Sequence, residues 1–205
     1  ALGYQGGTAA LVKMDTAHAL TEEELPDIVA KWRKASPRIV DLWYKMQACA
    51  IEAVKTGRAQ TERGITFTHE GYGEERFLTI RLPSGRKLFY VKPFLAAGNF
   101  DREALYFYSK NQTTGKWEKT PTYGGKLVEN IVQAIARDCL ALSLMRLEAL
   151  GYQTVMHIHD EAVMDVPKPL ADLNKACEAM GQPIDWAPGL LLRADGFISD
   201  YYKKD

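Results

Sequence analysis

The longest regular pattern in the chain lies at residues 123–150, where apolar side chains recur every three or four positions. This spacing predicts one long amphipathic helix, and Gly151 directly after it is the expected stop signal. A shorter helix is predicted at 169–180 and a final apolar strand at 189–194. The stripe of the long helix that we expect to face a core consists of Leu127, Ile131, Ile135, Leu142 and Met145.

Two further helices are predicted nearer the start of the chain. Residues 21–34 begin with a threonine followed three positions later by a glutamate, which is the pattern of a capping box. Residues 36–57 begin with a serine and a proline, and proline is favoured at the first helical position. We expect Trp32 and Trp43 to pack in a core and not to stack on nucleic-acid bases.

From residue 65 the apolar period changes to the alternation of strands, and a small antiparallel sheet is predicted with a hairpin turn at 110–116. Its strands are expected at 65–69, 77–82, 87–92 and 104–108. Basic and aromatic residues alternate here, and such a mixture can bind single-stranded nucleic acid. We favour the simpler interpretation, an amphipathic sheet with a basic solvent face. The residues concerned are Arg63, Arg76, Arg81, Arg86, Lys87, Lys92 and Arg102 with Tyr72, Phe77, Phe89 and Tyr90.

A tight hairpin is predicted where the apolar-rich runs 154–158 and 162–166 flank a polar turn. Its tip presents the adjacent carboxylates Asp160 and Glu161. Paired acids on a rigid hairpin can hold Mg²⁺, because this cation prefers oxygen ligands and is often shared between one or two carboxylates and substrate phosphates. The alternative is a solvated acidic turn that binds no ligand.

The long helix also has a polar stripe, formed by Lys126, Asn130, Gln133 and Arg137 at steps of four, three and four. A solvated face is the commoner meaning of such a stripe. The other possibility is that it lies along a nucleic-acid strand, with the cations toward phosphates and the amides toward base edges.

Composition changes this picture only slightly. With 205 residues, 46% hydrophobic and 25% charged, the chain has the size and balance of a globular protein with one core or two small ones. Its net charge of zero argues weakly against autonomous nucleic-acid binding, because such domains are generally basic. The odd cysteine count indicates reduced thiols. Without a signal peptide or spanning apolar run we expect no membrane partner and a cytoplasmic location.

Residues 122–167, the long helix followed by the hairpin, resemble the C-terminal half of the palm of family A DNA polymerases (the DNA polymerase I family), of the phage and prophage type. In that family the His-Asp-Glu hairpin is called motif C, and it stands here as His159, Asp160 and Glu161. Residues 1–11 resemble the end of the fingers helix, motif B, and residues 186–197 resemble the closing segment of phage-type enzymes.

The resemblance implies an α+β fold and a cytoplasmic location in a bacterial or phage-infected cell. Residues 1–121 would form the tail of the fingers, with helices and an appended small antiparallel sheet, and residues 122–205 the C-terminal part of the palm. The implied reaction, which serves DNA replication, is template-directed addition of deoxynucleoside triphosphates to the 3′-hydroxyl of primer-template DNA by two-metal phosphoryl transfer with Mg²⁺.

The resemblance also implies roles for single residues. Asp160 matches the aspartate that ligates catalytic metal, and Glu161 matches an acid beside the metals with a lesser role. His159 matches a primer-end contact, Gln133 a glutamine that touches the minor-groove side of the duplex, and Tyr4 a tyrosine that stacks near the template base. Three other residues are proposed as DNA contacts from the helical stripe alone: Lys126, Asn130 and Arg137.

This sequence departs from the family pattern at its beginning. A complete member has a second essential aspartate in motif A, and motif B begins with an arginine and a lysine that grip the triphosphate. The sequence starts at Ala1, past those positions, so we expect a C-terminal piece that is inactive alone and depends on a missing N-terminal polymerase segment. Tyr4 and Gln5 stand where the family usually has Tyr-Gly, which fits the phage-type variant.

Two alternatives remain open. His157 and His159 are alternate residues beside two acids, which is compatible with a His/Asp metal-dependent hydrolase, but the other histidines, His18 and His69, lack ligand partners at useful spacing. The chain could also be a noncatalytic DNA-binding remnant of a polymerase. The intact acids at 160 and 161 argue against such decay.

Overall fold

The computed structural model describes residues 2–17, 19–98 and 103–203. It confirms an α+β fold, which divides into two compact units, Ala1–Val132 and Gln133–Asp205. The boundary between them falls inside helix α4 (Gly124–Ala149). The division at residues 121 and 122 that the family resemblance implies stays a prediction.

The first unit begins with three helices, α1 (Thr8–Met14), α2 (Glu24–Ala35) and α3 (Pro37–Thr56). Helix α2 is confirmed, but it starts at Glu24 with Glu23 at the N-cap and not at Thr21 as predicted. Only the glutamate half of the predicted capping box forms, in which the Glu24 carboxylate accepts hydrogen bonds from the N–H and the hydroxyl of Thr21 at 2.9 and 2.8 Å. Helix α3 has proline at its first position and ends at Gly57, whose left-handed φ of 69° a residue with a Cβ rarely adopts.

The buried face of α3 repeats at helical spacing and contains Trp43, Met46, Ala50 and Ala53. Trp43 is 1% exposed and its ring stacks on that of Trp32 at 6.0 Å between centroids. The prediction that both tryptophans are packing residues is therefore confirmed.

The rest of the first unit is a six-stranded antiparallel sheet in which each strand pairs with the next along the chain. Its strands are β1 (Gln60–Glu62), β2 (Ile65–Glu70), β3 (Phe77–Arg81), β4 (Lys87–Ala97), β5 (Glu103–Lys110) and β6 (Trp117–Thr122). The four predicted strands are confirmed, β4 is longer than expected, and β1 and β6 are additional. Arg102, one of the predicted basic residues of the sheet, lies outside the described residues.

One side of the sheet packs against α3 and forms the core of this unit. The register places Phe67 opposite Ile80, Leu78 opposite Tyr90, and Leu105 in the equivalent layer of β5. All five of these side chains are less than 5% exposed. Their burial at every second strand position is what fixes the register of the sheet, because a slip by one residue would turn all of them to solvent.

Helix α4 confirms the long predicted helix. It ends at Ala149, and Gly151, two residues further on, has a φ of 81°. The N–H of Tyr152 closes the last turn on the carbonyl of Leu147 at 3.0 Å. One core prediction was wrong, since Met145 is 70% exposed. The buried residues in this half of α4 include Cys139, Ser143 and Leu147, which lie at steps of four, so Met145 projects from the opposite side of the helix.

The second unit contains the C-terminal half of α4, the hairpin of β7 (Gln153–Ile158) and β8 (Glu161–Asp165), and helix α5 (Leu173–Gly181). Its buried centre is Leu147, Tyr152, Ala176 and Ala179, against which one side of β8 packs through Ala162 and Met164. Asp172 caps α5 by accepting a hydrogen bond from the N–H of Lys175 at 3.0 Å, and a short 3-10 turn, Lys168–Leu170, precedes it.

The predicted apolar strand at residues 189–194 was wrong, because this segment forms no strand. An extended segment becomes a strand only when a neighbour supplies backbone partners, and none does so within the described residues. The described cysteines, Cys49, Cys139 and Cys177, are unpaired as predicted. No described helix has both the length and the apolar character needed to cross a bilayer.

Candidate functional site

The hairpin of the second unit places the predicted metal ligands at a tight turn. Ile158 pairs with Glu161, so His159 and Asp160 are the residues that connect the strands, and Glu161 is the first residue of β8. His159 has a φ of 51°, in the left-handed region, where histidine is tolerated better than most side chains at a cost of about 1–3 kcal/mol. The predicted hairpin is confirmed, with Asp160 at its tip.

The two carboxylates have the chemistry that Mg²⁺ requires. Asp160 and Glu161 are exposed, and neither forms an ion pair or a side-chain hydrogen bond with the described residues. Their oxygens can therefore coordinate a hard cation that keeps several of its waters. In residues 2–17, 19–98 and 103–203, no group of three or more histidine, cysteine, aspartate or glutamate side chains comes together as a metal site.

A β-bulge at Val155 decides which side chains of β7 face the core. Thr154 lies opposite Met164 and Met156 lies opposite Val163, so Val155 is an extra residue on β7. His157 lies opposite Ala162. It therefore projects to the same side of the hairpin as the residues of β8 that pack into the core.

From this side His157 meets the predicted polar stripe of α4. The Arg137 guanidinium nitrogen Nη2 lies 3.5 Å from Nε2 of His157. Arg137, proposed only from the helical pattern, thus lies next to β7. Its partner there, His157, is two positions before His159. Gln133, one turn earlier on α4, is exposed and its amide can contact a ligand.

Two other stripe residues belong to the first unit, where they have local partners. The Lys126 ammonium pairs with the Glu129 carboxylate at 2.9 Å. The Asn130 amide donates to the hydroxyl of Tyr90 at 2.8 Å, and burial raises the pKa of this tyrosine. In this structure the Asn130 nitrogen therefore joins α4 to the sheet, and its role as a DNA contact stays a prediction.

Tyr4 ends a short 3-10 turn, Leu2–Tyr4, and lies directly against the start of α4. A Cβ added to Gly125 would come within 2.4 Å of the Tyr4 carbonyl oxygen. A Cβ added to Gly124 would come within 2.1 Å of the Trp43 carbonyl oxygen. Both positions must therefore be glycine, because the backbone of another segment approaches each of them closely. The close approach at Gly125 fixes the position of Tyr4.

Sequence reasoning missed the role of Gln5, which it treated only as a departure from Tyr-Gly. Gln5 has a φ of 66°, the conformation that the usual glycine adopts easily. Its side-chain oxygen accepts a hydrogen bond from the N–H of Gly125 at 2.8 Å, and Gln47 does the same for Gly124 at 2.9 Å. These two glutamines satisfy N–H groups at the start of α4 that have no partner inside the helix. No local pattern in the sequence indicates this contact, because Gln5 lies 120 positions from Gly125.

The hydrolase alternative needs ligands beyond the hairpin. His18 lies outside the described residues, and His69 lies in β2 of the first unit. His157 is already in contact with Arg137. Within its described residues the second unit therefore offers carboxylate oxygens and nitrogen donors, and no cluster of imidazoles.

The chain is similar in sequence to a phage DNA polymerase. The chain aligns over its full length with the DNA polymerase of Bacillus phage SP02, at 53% identity over 208 residues. It spans 31% of that polymerase, which is about a third of the relative's length. No protein-family model matches the chain, and no solved structure matches it.

Proposed function

We propose that this chain supplies part of the nucleotidyl-transfer site of a phage-type family A DNA polymerase, as its C-terminal fingers and palm portion. The observation that carries the proposal is the exposed pair Asp160 and Glu161 at a tight hairpin turn, free of ion pairs among the described residues. The similarity to the Bacillus phage SP02 DNA polymerase along the whole chain supports the same assignment.

Asp160 is the proposed metal ligand, and Glu161 stands beside it with a lesser role. When bound, Mg²⁺ would activate the primer 3′-hydroxyl and stabilise charge on the leaving pyrophosphate. In the overall reaction the 3′-oxygen forms a bond to the α-phosphorus of the nucleotide, and the bond to the bridging oxygen of pyrophosphate breaks. One aspartate cannot hold two cations, so a further carboxylate must come from elsewhere in the polymerase.

The second unit also offers donors for the primer-template. His159, next to the ligand, is positioned to contact the primer end, and the exposed Gln133 can donate to the minor groove, where A·T and T·A pairs present the same acceptors. Arg137 supplies positive charge for a phosphate beside the hairpin. A polymerase that accepts every sequence needs contacts of these kinds, since none of them depends on base identity.

In the first unit, Tyr4 is the proposed stacking residue near the template base, with Lys126 and Asn130 as flanking contacts on α4. Gln5 and Gly125 hold the backbone of Tyr4 against the helix start. These residues would bind and orient the substrates, and the bond changes would occur at the hairpin.

The test is a chimera in which this chain replaces the matching segment of the Bacillus phage SP02 polymerase. We expect primer extension with Mg²⁺ and four deoxynucleotides by the chimera. Asp160→Asn should lower the extension rate by at least about a hundredfold while leaving the Kd for primer-template within about twofold. Glu161→Gln should cost less. Asp165→Asn, at the exposed far end of β8, is the matched control.

Full extension by Asp160→Asn would refute the ligand assignment. A folded chimera that binds primer-template without extending it, when the unaltered SP02 enzyme extends, would instead support the alternative of a noncatalytic DNA-binding remnant. A melting curve for each variant separates these outcomes from loss of folding.

A further inference from the structure

One face of the six-stranded sheet in the first unit is rich in aromatic side chains. Directly opposed residues of antiparallel strands project to the same side, so the register assigns each residue to a face. Phe77 lies opposite Val91, and Phe89 lies opposite Thr79, on the side away from the core residues. The register of β5 and β6 continues this side. We call it the aromatic face, and its rings are Phe77, Phe89, Phe94, Tyr106, Tyr108 and Trp117.

A β-bulge in β4 brings Phe94 onto this face. Val91 lies opposite Tyr108 and Phe94 lies opposite Tyr106, with a register shift between the two pairs. Lys92 takes up the extra length with a left-handed φ of 49°. Without the bulge, strict alternation would turn Phe94 to the core side. The bulge therefore places Phe94 beside the tyrosines of β5, on the same face as Phe77 and Phe89.

Several of these rings can accept a further stacking partner. Phe89 is 59% exposed and Trp117 is 57% exposed. Phe94 and Tyr106 stack at 5.6 Å with 18° between their planes, and Phe77 meets Phe89 edge to face at 6.0 Å. These contacts hold the rings in fixed orientations, so a planar ligand would not have to order them on binding.

The same face has more positive than negative charge, although the whole chain has a net charge of zero. The ammonium of Lys119 lies 3.9 Å from the ring centroid of Tyr106. Among the described strand residues, the register assigns one carboxylate to this face, that of Glu70. The Lys87 ammonium contacts it at 2.6 Å. The cations assigned to the face by the register are Arg81, Lys87, Lys110 and Lys119.

We propose that the aromatic face binds single-stranded DNA, with bases stacked on its rings and phosphates near its lysines and arginine. Bases of a single strand expose π-faces that a duplex hides, and each stacked base contributes about 1–3 kcal/mol. A protein partner would match an apolar patch better than rings interleaved with cations. The proposal is independent of the hairpin in the second unit, so it does not rest on the proposed function.

The test is fluorescence anisotropy of a labelled oligo(dT) of about 16 nucleotides with the full 205-residue chain, without Mg²⁺ and at low salt. We expect saturable binding that weakens as salt is raised, because phosphate contacts release counterions. Phe89→Ala should weaken the Kd about tenfold, and Trp117→Ala serves as a second variant should the first not fold. Lys119→Gln should reduce both affinity and salt dependence.

Two controls are matched to these variants. Tyr72 is 94% exposed in the loop between β2 and β3, outside the strands whose register defines the aromatic face, so Tyr72→Ala should leave the Kd unchanged. Lys31 lies on α2, and Lys31→Gln should also have no effect. Absence of oligo(dT) binding, equal losses for Phe89→Ala and Tyr72→Ala, or equally strong competition by duplex DNA of the same length would each overturn the proposal.

Discussion

The side-chain oxygen of Gln5 accepts a hydrogen bond from the N–H of Gly125 at 2.8 Å, across 120 positions of sequence. This contact joins the segment that contains Tyr4 to the first turn of α4. It also explains how a residue with a side chain occupies a left-handed backbone position, since the cap that Gln5 provides offsets the strain at its φ of 66°.

Replacing the acceptor at Gln5 should therefore cost stability. We expect Gln5→Leu to lower the free energy of unfolding by about 1 kcal/mol, because the N–H of Gly125 loses its partner. Gln5→Glu retains an acceptor and places negative charge at a helix N-terminus, where it is favourable. Urea unfolding at neutral pH measures both. Equal stability of the two variants would show that the hydrogen bond contributes nothing.

A Cβ at Gly125 should displace the Tyr4 segment. In Gly125→Ala the new methyl group would lie 2.4 Å from the Tyr4 oxygen and from Cβ of Gln5, so the backbone must move. We expect a loss of about 1–3 kcal/mol, the usual cost of overpacking. Gly7→Ala is the control, because nothing lies within 4 Å of its Cβ position. Thermal unfolding compares the two, and similar melting temperatures would contradict the predicted clash.

Acid should remove a stabilising contact of the sheet. The Lys87 ammonium and the Thr79 hydroxyl, which both donate to the Glu70 carboxylate, hold the pKa of Glu70 below its ordinary value of 4.5. A lowered pKa in the folded state stabilises the protein above the unfolded-state value, and this contribution disappears as the pH falls through the folded value.

Glu70→Gln should therefore be less stable than the unaltered chain near neutral pH, by less than about 1 kcal/mol because the pair is partly exposed. The difference should shrink steadily below pH 4.5. Melting temperatures at a series of pH values test this, with Glu22→Gln, an exposed glutamate outside the sheet, as control. A difference that stays constant down to acid pH would exclude the carboxylate as its source.

Much of the fold was predictable because its signals are local. The boundaries of α3 follow from Pro37 and Gly57, and the end of α4 follows from Gly151. The hairpin at 153–165 follows from two apolar runs around a polar turn. Each of these features depends on the conformational limits of residues within a few positions of one another.

The missing features depend on partners far along the chain. Strand β1 (Gln60–Glu62) is short and polar, and β6 includes Pro121, which lacks an N–H, so neither has the usual pattern of a strand. Residues 189–194 have the apolar composition of a strand but no partner among the described residues. At the candidate site, two apolar runs around a polar turn predicted the hairpin tip. Helical spacing proposed Arg137, whose role as a DNA contact stays a prediction. The cap by Gln5 could not be predicted, because no local pattern indicates it.

Arg146 should be a structural anchor of the second unit. From α4 its guanidinium donates to the carbonyls of Gln182 and Pro183 at 2.9 and 2.6 Å, just beyond the end of α5. A cation at a helix C-terminus also interacts favourably with the helix dipole. We expect Arg146→Met to reduce stability by about 1–3 kcal/mol and to speed hydrogen exchange of the α5 amides.

The control for this prediction is Lys175→Met, which removes an exposed cation from α5 itself. It should leave hydrogen exchange near its original rate. If Arg146→Met and Lys175→Met exchange alike, the carbonyl contacts of Arg146 do not stabilise α5.

His159 allows backbone conformation and side-chain chemistry to be tested separately. At its φ of 51°, glycine fits without strain, whereas a β-branched residue does not. His159→Gly should change stability by less than about 1 kcal/mol, because relief of strain offsets the greater freedom of the unfolded chain, while His159→Val should lose about 1–3 kcal/mol.

In the polymerase chimera both variants lack the imidazole that we assign to the primer end. Both should therefore raise the KM for primer-template, and His159→Val should lower kcat further because the turn that presents Asp160 is distorted. Normal extension kinetics in His159→Gly would mean that the backbone at 159, and not its side chain, is what the site requires.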